Sequence, residues 1–299
     1  MANNLDNFVP EIWSRAVKSN IDQVNVAMAV AANMDYQGEI KAAGDTVHVR
    51  TFGNVTVKSY SRGQTITDDD LAPTKEVLTI DRSDYVSIKV DDLDEAQNDL
   101  NALAGYTRRA GVALSNKLDS FVFSHYSSAN ALNALTDGGS AYNISAATVY
   151  PLIVDCGLAL DSLSVDQNDR WIVVSPYFKS LLLKDTTYFI KGSALGDEVL
   201  TTGRLGMTAA QASRRGFVGR IAGFDVWSTV NLPTNGANKY CVFGQGKPVS
   251  FAAQIPPGAL EAIRLESTFA TRVRGLCLYG AKVFAEDAKR LGSLYIDNS

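Results

Sequence analysis

The sequence predicts an α+β chain, and three observations predict it. Residues 44–90 alternate apolar and polar side chains in short runs broken by turn residues, the period of half-buried strands. Residues 91–126 switch to apolar side chains three or four apart with no proline, the period of one long amphipathic helix. From residue 145 onward helical and strand patterns mix, and residues 261–299 return largely to alternation.

Residues 1 to about 9 are polar. Pro10 suits a first helical turn, and Ile12, Trp13, Ala16 and Val17 give residues 10–19 an apolar face. A second apolar segment runs from Ile21 to Met34. Residues 1–43 therefore read as an arm with apolar sides and little core of its own, or as an ordinary N-terminal helix on its parent domain. At Gly44 the period changes. Val47 and Val49 alternate with His48 and Arg50, Gly53-Asn54 turns the chain, and Val55 and Val57 alternate with Thr56 and Lys58. A polar excursion from Ser59 to Thr74 holds Arg62-Gly63-Gln64 and the acidic run Asp68-Asp69-Asp70. A third strand is expected over Glu76–Ile80, then a turn at Asp81-Arg82-Ser83-Asp84, then alternation of Val86, Ile88 and Val90. A ribbon with two polar-looking faces buries too little to stand alone, so residues 44–90 need a neighbour.

Asp91, Asp92, Asp94 and Glu95 suit a helix start, where free N–H groups and the positive dipole end favour carboxylates. Ala96, Leu100, Leu103, Ala104, Ala110, Leu114, Leu118, Phe121 and Val122 form one stripe. Gln97, Asn98, Asn101, Arg108, Arg109, Asn116, Lys117 and Asp119 form the expected wet side. Run to Tyr126, such a helix is roughly 50 Å long at ~1.5 Å per residue. That is longer than most globular helices and suits a framework better than a pocket. Ser127–Ser145 reads as a loop, Ala146–Leu160 as a helix and Trp171–Val174 as a buried strand. Ser175 caps a helix opened by Pro176 and carrying Phe178, Leu181, Leu182 and Leu183. Residues 185–216 read as loop with partial helix. Val218–Ile221 and Phe224–Trp227 form a hairpin about Ala222-Gly223. Strands are expected at Tyr240–Phe243, Pro248–Ala253, Ala262–Leu265 and Arg272–Phe284, before a short helix and the apolar Leu294-Tyr295-Ile296.

The 299 residues, 46% hydrophobic and 20% charged, are enough for a substantial core. A formal net charge of −4 argues against a general nucleic-acid binder. Three scattered cysteines, Cys156, Cys241 and Cys277, fit reduced, cytoplasmic synthesis rather than a disulfide framework. The best apolar run, Val26–Ala32, is far too short to span a membrane.

Catalytic chemistry is poorly represented. The histidines are His48 and His125, and no Gly-x-Ser-x-Gly elbow occurs. Asp68-Asp69-Asp70 lacks the glycine and terminal glutamate of a calcium loop. Gly244-Gln245-Gly246-Lys247 is followed by Pro248 where a phosphate loop needs Ser or Thr, and Cys241 stands where its first glycine belongs. No catalytic, cofactor-binding or metal-binding residue is expected, and the chain is read as not an enzyme.

The order of parts resembles tailed-phage major capsid proteins of the HK97-like fold. Gly44-Asp45-Thr46-Val47 is similar to the lead-in of their extension loop. Gly63-Gln64-Thr65-Ile66 through Asp70-Leu71, then Leu78-Thr79-Ile80-Asp81, resembles the loop of the P22-like coat branch. Ile221-Ala222-Gly223-Phe224-Asp225-Val226, then Asn231-Leu232-Pro233, resembles the axial-domain hairpin. Arg264 to Phe269, then Gly275 and Tyr279-Gly280-Ala281-Lys282-Val283, resembles the closing peripheral-domain strand.

The resemblance implies an N-terminal arm over 1–43, an extension-loop β ribbon over 44–90, and a spine helix with the start of the peripheral domain over 91–144. It implies an axial domain over 145–260 and a return to the peripheral domain over 261–299. The implied function is a coat subunit that self-assembles, as hexamers and pentamers, into an icosahedral or prolate head around double-stranded DNA. The implied partners are further copies of the chain, a separate scaffolding protein because the ribbon begins by residue 44, the portal protein and the packaged DNA. Residues expected at contacts between subunits are Trp13, Lys58, Arg62, Asp68, Asp69, Asp70, Arg108 and Arg109. Lys–Asn cross-links, made by some members, are not expected, because nothing marks a partner for Lys58, Lys75 or Lys89. Two alternatives remain: an encapsulin-type compartment shell, and a soluble enzyme with a pocket in residues 145–260.

Overall fold

The structure, a computed structural model, describes residues 26–36, 46–51, 57–66, 68, 74–91, 102–185, 216–255, 260–266 and 268–298. The chain begins there with a short helix, α1 (Ala27–Val30), and a two-residue strand, β1 (Ala32–Asn33). A ribbon follows, β2 (Thr46–Thr51) antiparallel to β3 (Thr74–Thr79), then β4 (Arg82–Asp91). The long helix α2 covers Ala102–Ser124 among the described residues, about 34 Å at ~1.5 Å per residue. After β5 (Ala134–Leu135) come α3 (Val149–Ser162), β6 (Arg170–Val174) and α4 (Pro176–Lys184). The rest is strand: β7 (Phe217–Ile221), β8 (Phe224–Ser228), β9 (Thr234–Asn235), β10 (Asn238–Gln245), β11 (Val249–Ile255), β12 (Leu260–Arg264), β13 (Ala270–Lys282) and β14 (Leu291–Ile296).

Two large sheets organise these elements. In the seven-stranded sheet the order is β5-β14-β10-β6-β8-β7, with β9 on β10. β6 lies inside this sheet and is buried at all five positions, which accounts for its unbroken Trp171-Ile172-Val173-Val174 run. The β7–β8 hairpin turns on Ala222 and Gly223, at φ +49° and +84°. Two consecutive positive φ values match the turn to the twist of its strands. The five-stranded sheet is built on β13, which pairs with β4 over ten residues and also with β12 and β11, while β1 adds to β11. The chain does not fill the sheets in order, since β11 joins β13 and β14 crosses back beside β10.

A continuous core joins both sheets. Leu114, Leu118, Val122 and Phe123 of α2 meet Ile153, Cys156 and Leu160 of α3, Ile172 and Val174 of β6, and Phe251 and Tyr279 of the five-stranded sheet. The first described residues belong to it too, with Val26, Ala27, Val30, Ala31 and Ala32 all buried. For residues 26–32 the N-terminal segment thus packs on the rest of its own chain. The helix expected over 10–19 and the loop over 186–215 lie outside the described residues.

Several sequence expectations are corrected. Asp91 does not open the long helix; it ends β4, paired with Ala270, because β13 offers a longer antiparallel ladder than the apolar period revealed. The expected turn at Asp81–Asp84 belongs largely to β4, which begins at Arg82. Among the described residues the partner of β2 is β3; Val57 and Lys58 carry no strand, and the rest of the expected turn and strand, Gly53 to Thr56, lies outside the described residues. The expected loop Ser127–Ser145 contains β5, held parallel to β14. Asp119, expected on the wet side of α2, is 1% exposed, because the N-terminal segment lies over it.

Candidate assembly surfaces

The base of the β2–β3 ribbon is tied to the five-stranded sheet. Val47, Leu78 and Ile80 pack with Ala252 and Phe284, Lys282 Nζ donates to the Val77 carbonyl at 2.9 Å, and the Ala285 N–H donates to Glu76 Oε1 at 3.2 Å. Gly280 lies so close to the ribbon that a Cβ there would collide with the Thr79 carbonyl and Ile80 Cα. Beyond this base the environment changes. Every residue from Val57 to Ile66 is exposed, with Val57 at 96%, Tyr60 at 67% and Ile66 at 77%. The stretch is nevertheless shaped. The Gln64 N–H donates to the Ser61 carbonyl at 3.0 Å, the Ser61 N–H donates to Gln64 Oε1 at 3.2 Å, and Gly63 takes φ +89°. That is a closed four-residue turn whose third position requires glycine, and it holds Arg62 outward at its second.

The predicted contact residues divide. Lys58 and Arg62 lie on this exposed stretch and Asp68 just beyond it, also exposed. Arg109 is exposed on α2, a separate element from them. Trp13, Asp69 and Asp70 lie outside the described residues, as does the side chain of Arg108. Sequence reasoning missed a second surface. On one side of the five-stranded sheet Tyr85 and Leu276 are directly opposed across β4 and β13, at 78% and 47% exposure, and Phe269 before β13 is 79% exposed. On α3, Val154 and Leu158 are exposed one turn apart. The β4 alternation could have shown the first, since Tyr85 is out of phase with Val86, Ile88 and Val90.

The reactive side chains are occupied structurally. His125, half-buried, is hydrogen-bonded through Nδ1 to the Phe121 carbonyl and through Nε2 to the Ala281 carbonyl, at 3.0 and 3.1 Å. His48 is exposed on β2. The three cysteines are buried and none is in a disulfide, and burial pushes the Cys156 and Cys241 thiols up, the latter to about 12. A cleft of about 430 Å³ lies between α2 and the β3–β4 corner, lined by Asp81, Arg82, Asp84, Lys117, Phe121 and Tyr279 among others. Its carboxylates and cations offset one another, and the Tyr279 hydroxyl donates to Asp84. Burial and that carboxylate raise the Tyr279 phenol well beyond its ordinary range. No group of three or more potential metal ligands occurs among the described residues. No described helix is long and apolar enough to cross a membrane.

A family model described as phage capsid protein matches residues 53–291. A solved structure from Mycobacterium phage Che8 is 26% identical, with 92% of this chain and 91% of that one covered and a TM-score of 0.69. The capsid of cyanophage P-SCSP1u is 16% identical, covering 90% and 86%, with a TM-score of 0.64. A virus-like particle from Pyrococcus furiosus is 12% identical, covering 96% and 99%, with a TM-score of 0.55. No curated protein matches the chain.

Proposed function

This chain belongs to the phage capsid protein family, as a tailed-phage major capsid protein with a structural rather than catalytic role, and from that premise we propose how it builds its shell. Copies associate as hexamers and pentamers, and the closed head holds double-stranded DNA. Of the ribbon over 44–90, the exposed stretch Val57–Ile66 reaches across a neighbouring subunit and gains there the apolar cover that its own subunit does not provide, while β4 and the ribbon's base stay on their own sheet. One observation carries this reading: a ribbon tied down at its base continues into a shaped stretch, Val57–Ile66, that is exposed throughout. Exposed apolar residues flanking a preformed turn fit a surface completed by another copy. Each such contact is weak, and repetition around the shell makes the whole stable.

In this reading the seven-stranded sheet with α3 and α4 forms most of the axial domain, 145–260, at the centre of each capsomer. The long helix and the five-stranded sheet form the peripheral domain, 91–144 and 261–299, joined by β1 and β4 from earlier in the chain, with β11 lent to that sheet and β5 and β14 lent to the other. A separate scaffolding protein guides assembly in the host cytoplasm, and a portal occupies one vertex.

Expression of the chain alone and with its scaffolding protein, followed by electron microscopy and light scattering, tests this. Closed shells or rings of five and six are expected, and virions are expected to hold DNA rather than enzyme cargo. A chain that remains a monomer under all these conditions overturns the proposal.

A further inference from the structure

Asp119 lies toward the C-terminal end of α2, yet its carboxylate serves a different part of the chain. It accepts the backbone N–H of Val26 at 3.4 Å and of Ala27 at 3.1 Å, groups 93 and 92 residues away. These N–H groups open α1, which has no side-chain cap of its own. Unpaired N–H groups at a buried helix start need an acceptor, and α2 supplies it. No charged group is hydrogen-bonded to the carboxylate, and Lys239 of β10 donates instead to the Val230 carbonyl of the neighbouring loop at 3.2 Å. Residues 26–33 and the loop 229–233 packed there contain no ionisable side chain. Asn231 hydrogen-bonds the carboxylate and also donates to Asn116 at 3.0 Å, Ser115 is buried beside it, and Lys117 on the same helix is exposed. Among the described residues no cation offsets the burial of this carboxylate.

We propose that Asp119 is a proton-sensitive anchor for the N-terminal segment, docking residues 26–33 on the long helix more firmly in mild acid than in neutral solution. The sign follows from the environment. Burial, only partly countered by the Ala27, Val26 and Asn231 hydrogen bonds, raises the carboxyl from 3.8 to about 6. Lifting the segment away returns Asp119 to water and to its ordinary range. The docked state therefore binds the proton more tightly. Its stabilisation is complete below the ordinary carboxylate range and is lost as pH rises through about 6. The anchor sets where the arm leaves its own subunit, and it holds whether or not shells form.

Hydrogen exchange of the unassembled full chain, followed by mass spectrometry from pH 5 to 8 and corrected for intrinsic rates, tests the anchor. The β6 peptide, residues 170–174, serves as internal reference. Protection of residues 26–33 relative to that reference is expected to be about tenfold greater at pH 5 than at pH 8. In Asp119→Asn the ratio is expected to be flat. A flat ratio in the wild-type protein overturns the proposal, as does an unchanged pH dependence in Asp119→Asn. If the variant does not fold, the wild-type series with its reference decides alone.

Discussion

At the scale of single residues, close approach and buried polar pairs decide what is tolerated. Gly280 is required because the ribbon crosses β13 there, not because of its backbone angle. Gly280→Ala forces backbone against backbone and is expected to cost about 1–3 kcal/mol, read from denaturant unfolding of the isolated subunit. An unchanged midpoint would mean that the ribbon moves freely on its base. Tyr279 fills the core with its ring and gives its hydroxyl to Asp84. Tyr279→Phe keeps the ring and removes one hydrogen bond from a half-buried carboxylate that still faces the cleft, with an expected loss of about 0.5–1.5 kcal/mol by the same measurement.

At the scale of elements, the long helix and the ribbon behave oppositely. The helix is held by what it buries: Leu118 and Phe123 are covered almost completely. Leu118→Ala is expected to remove about 2–5 kcal/mol and to lower the thermal midpoint of subunit and shell alike. The exposed stretch Val57–Ile66 contributes little to its own subunit. The pair Tyr60→Asp and Ile66→Asp is expected to leave subunit stability within about 0.5 kcal/mol, as surface substitutions usually do, while sharply reducing shell yield in light scattering. Equal loss of stability and assembly would show that the stretch is packed at home.

At the scale of the whole molecule, the two sheets share one core but exchange strands, so the chain cannot be cut at one point into independent halves. Deleting residues 59–66 removes neither β2 nor β3. It is expected to yield a folded subunit, judged by circular dichroism and unfolding midpoint, that no longer closes shells. Deleting β14 is expected to abolish folding, because Leu294 and Ile296 lie fully buried inside the seven-stranded sheet.

Elements that carry a strong local period were legible in the amino-acid order alone. The α2 stripe of Leu114, Leu118 and Val122, the buried β6 run, the Ser175-Pro176 helix start and the Ala222-Gly223 hairpin all stand where their patterns put them. The order of these parts also carried the family likeness. Relations between distant residues were set by the folded chain. Asp91 pairs with Ala270 and β2 with β3, because ladder partners are chosen by long-range packing that local alternation does not encode. Asp119 reads as a solvated face on the helix wheel, and only the fold lays the backbone of Val26 and Ala27 over it. Helical period reports which side of a helix is apolar; it does not report which polar residue the rest of the chain will cover.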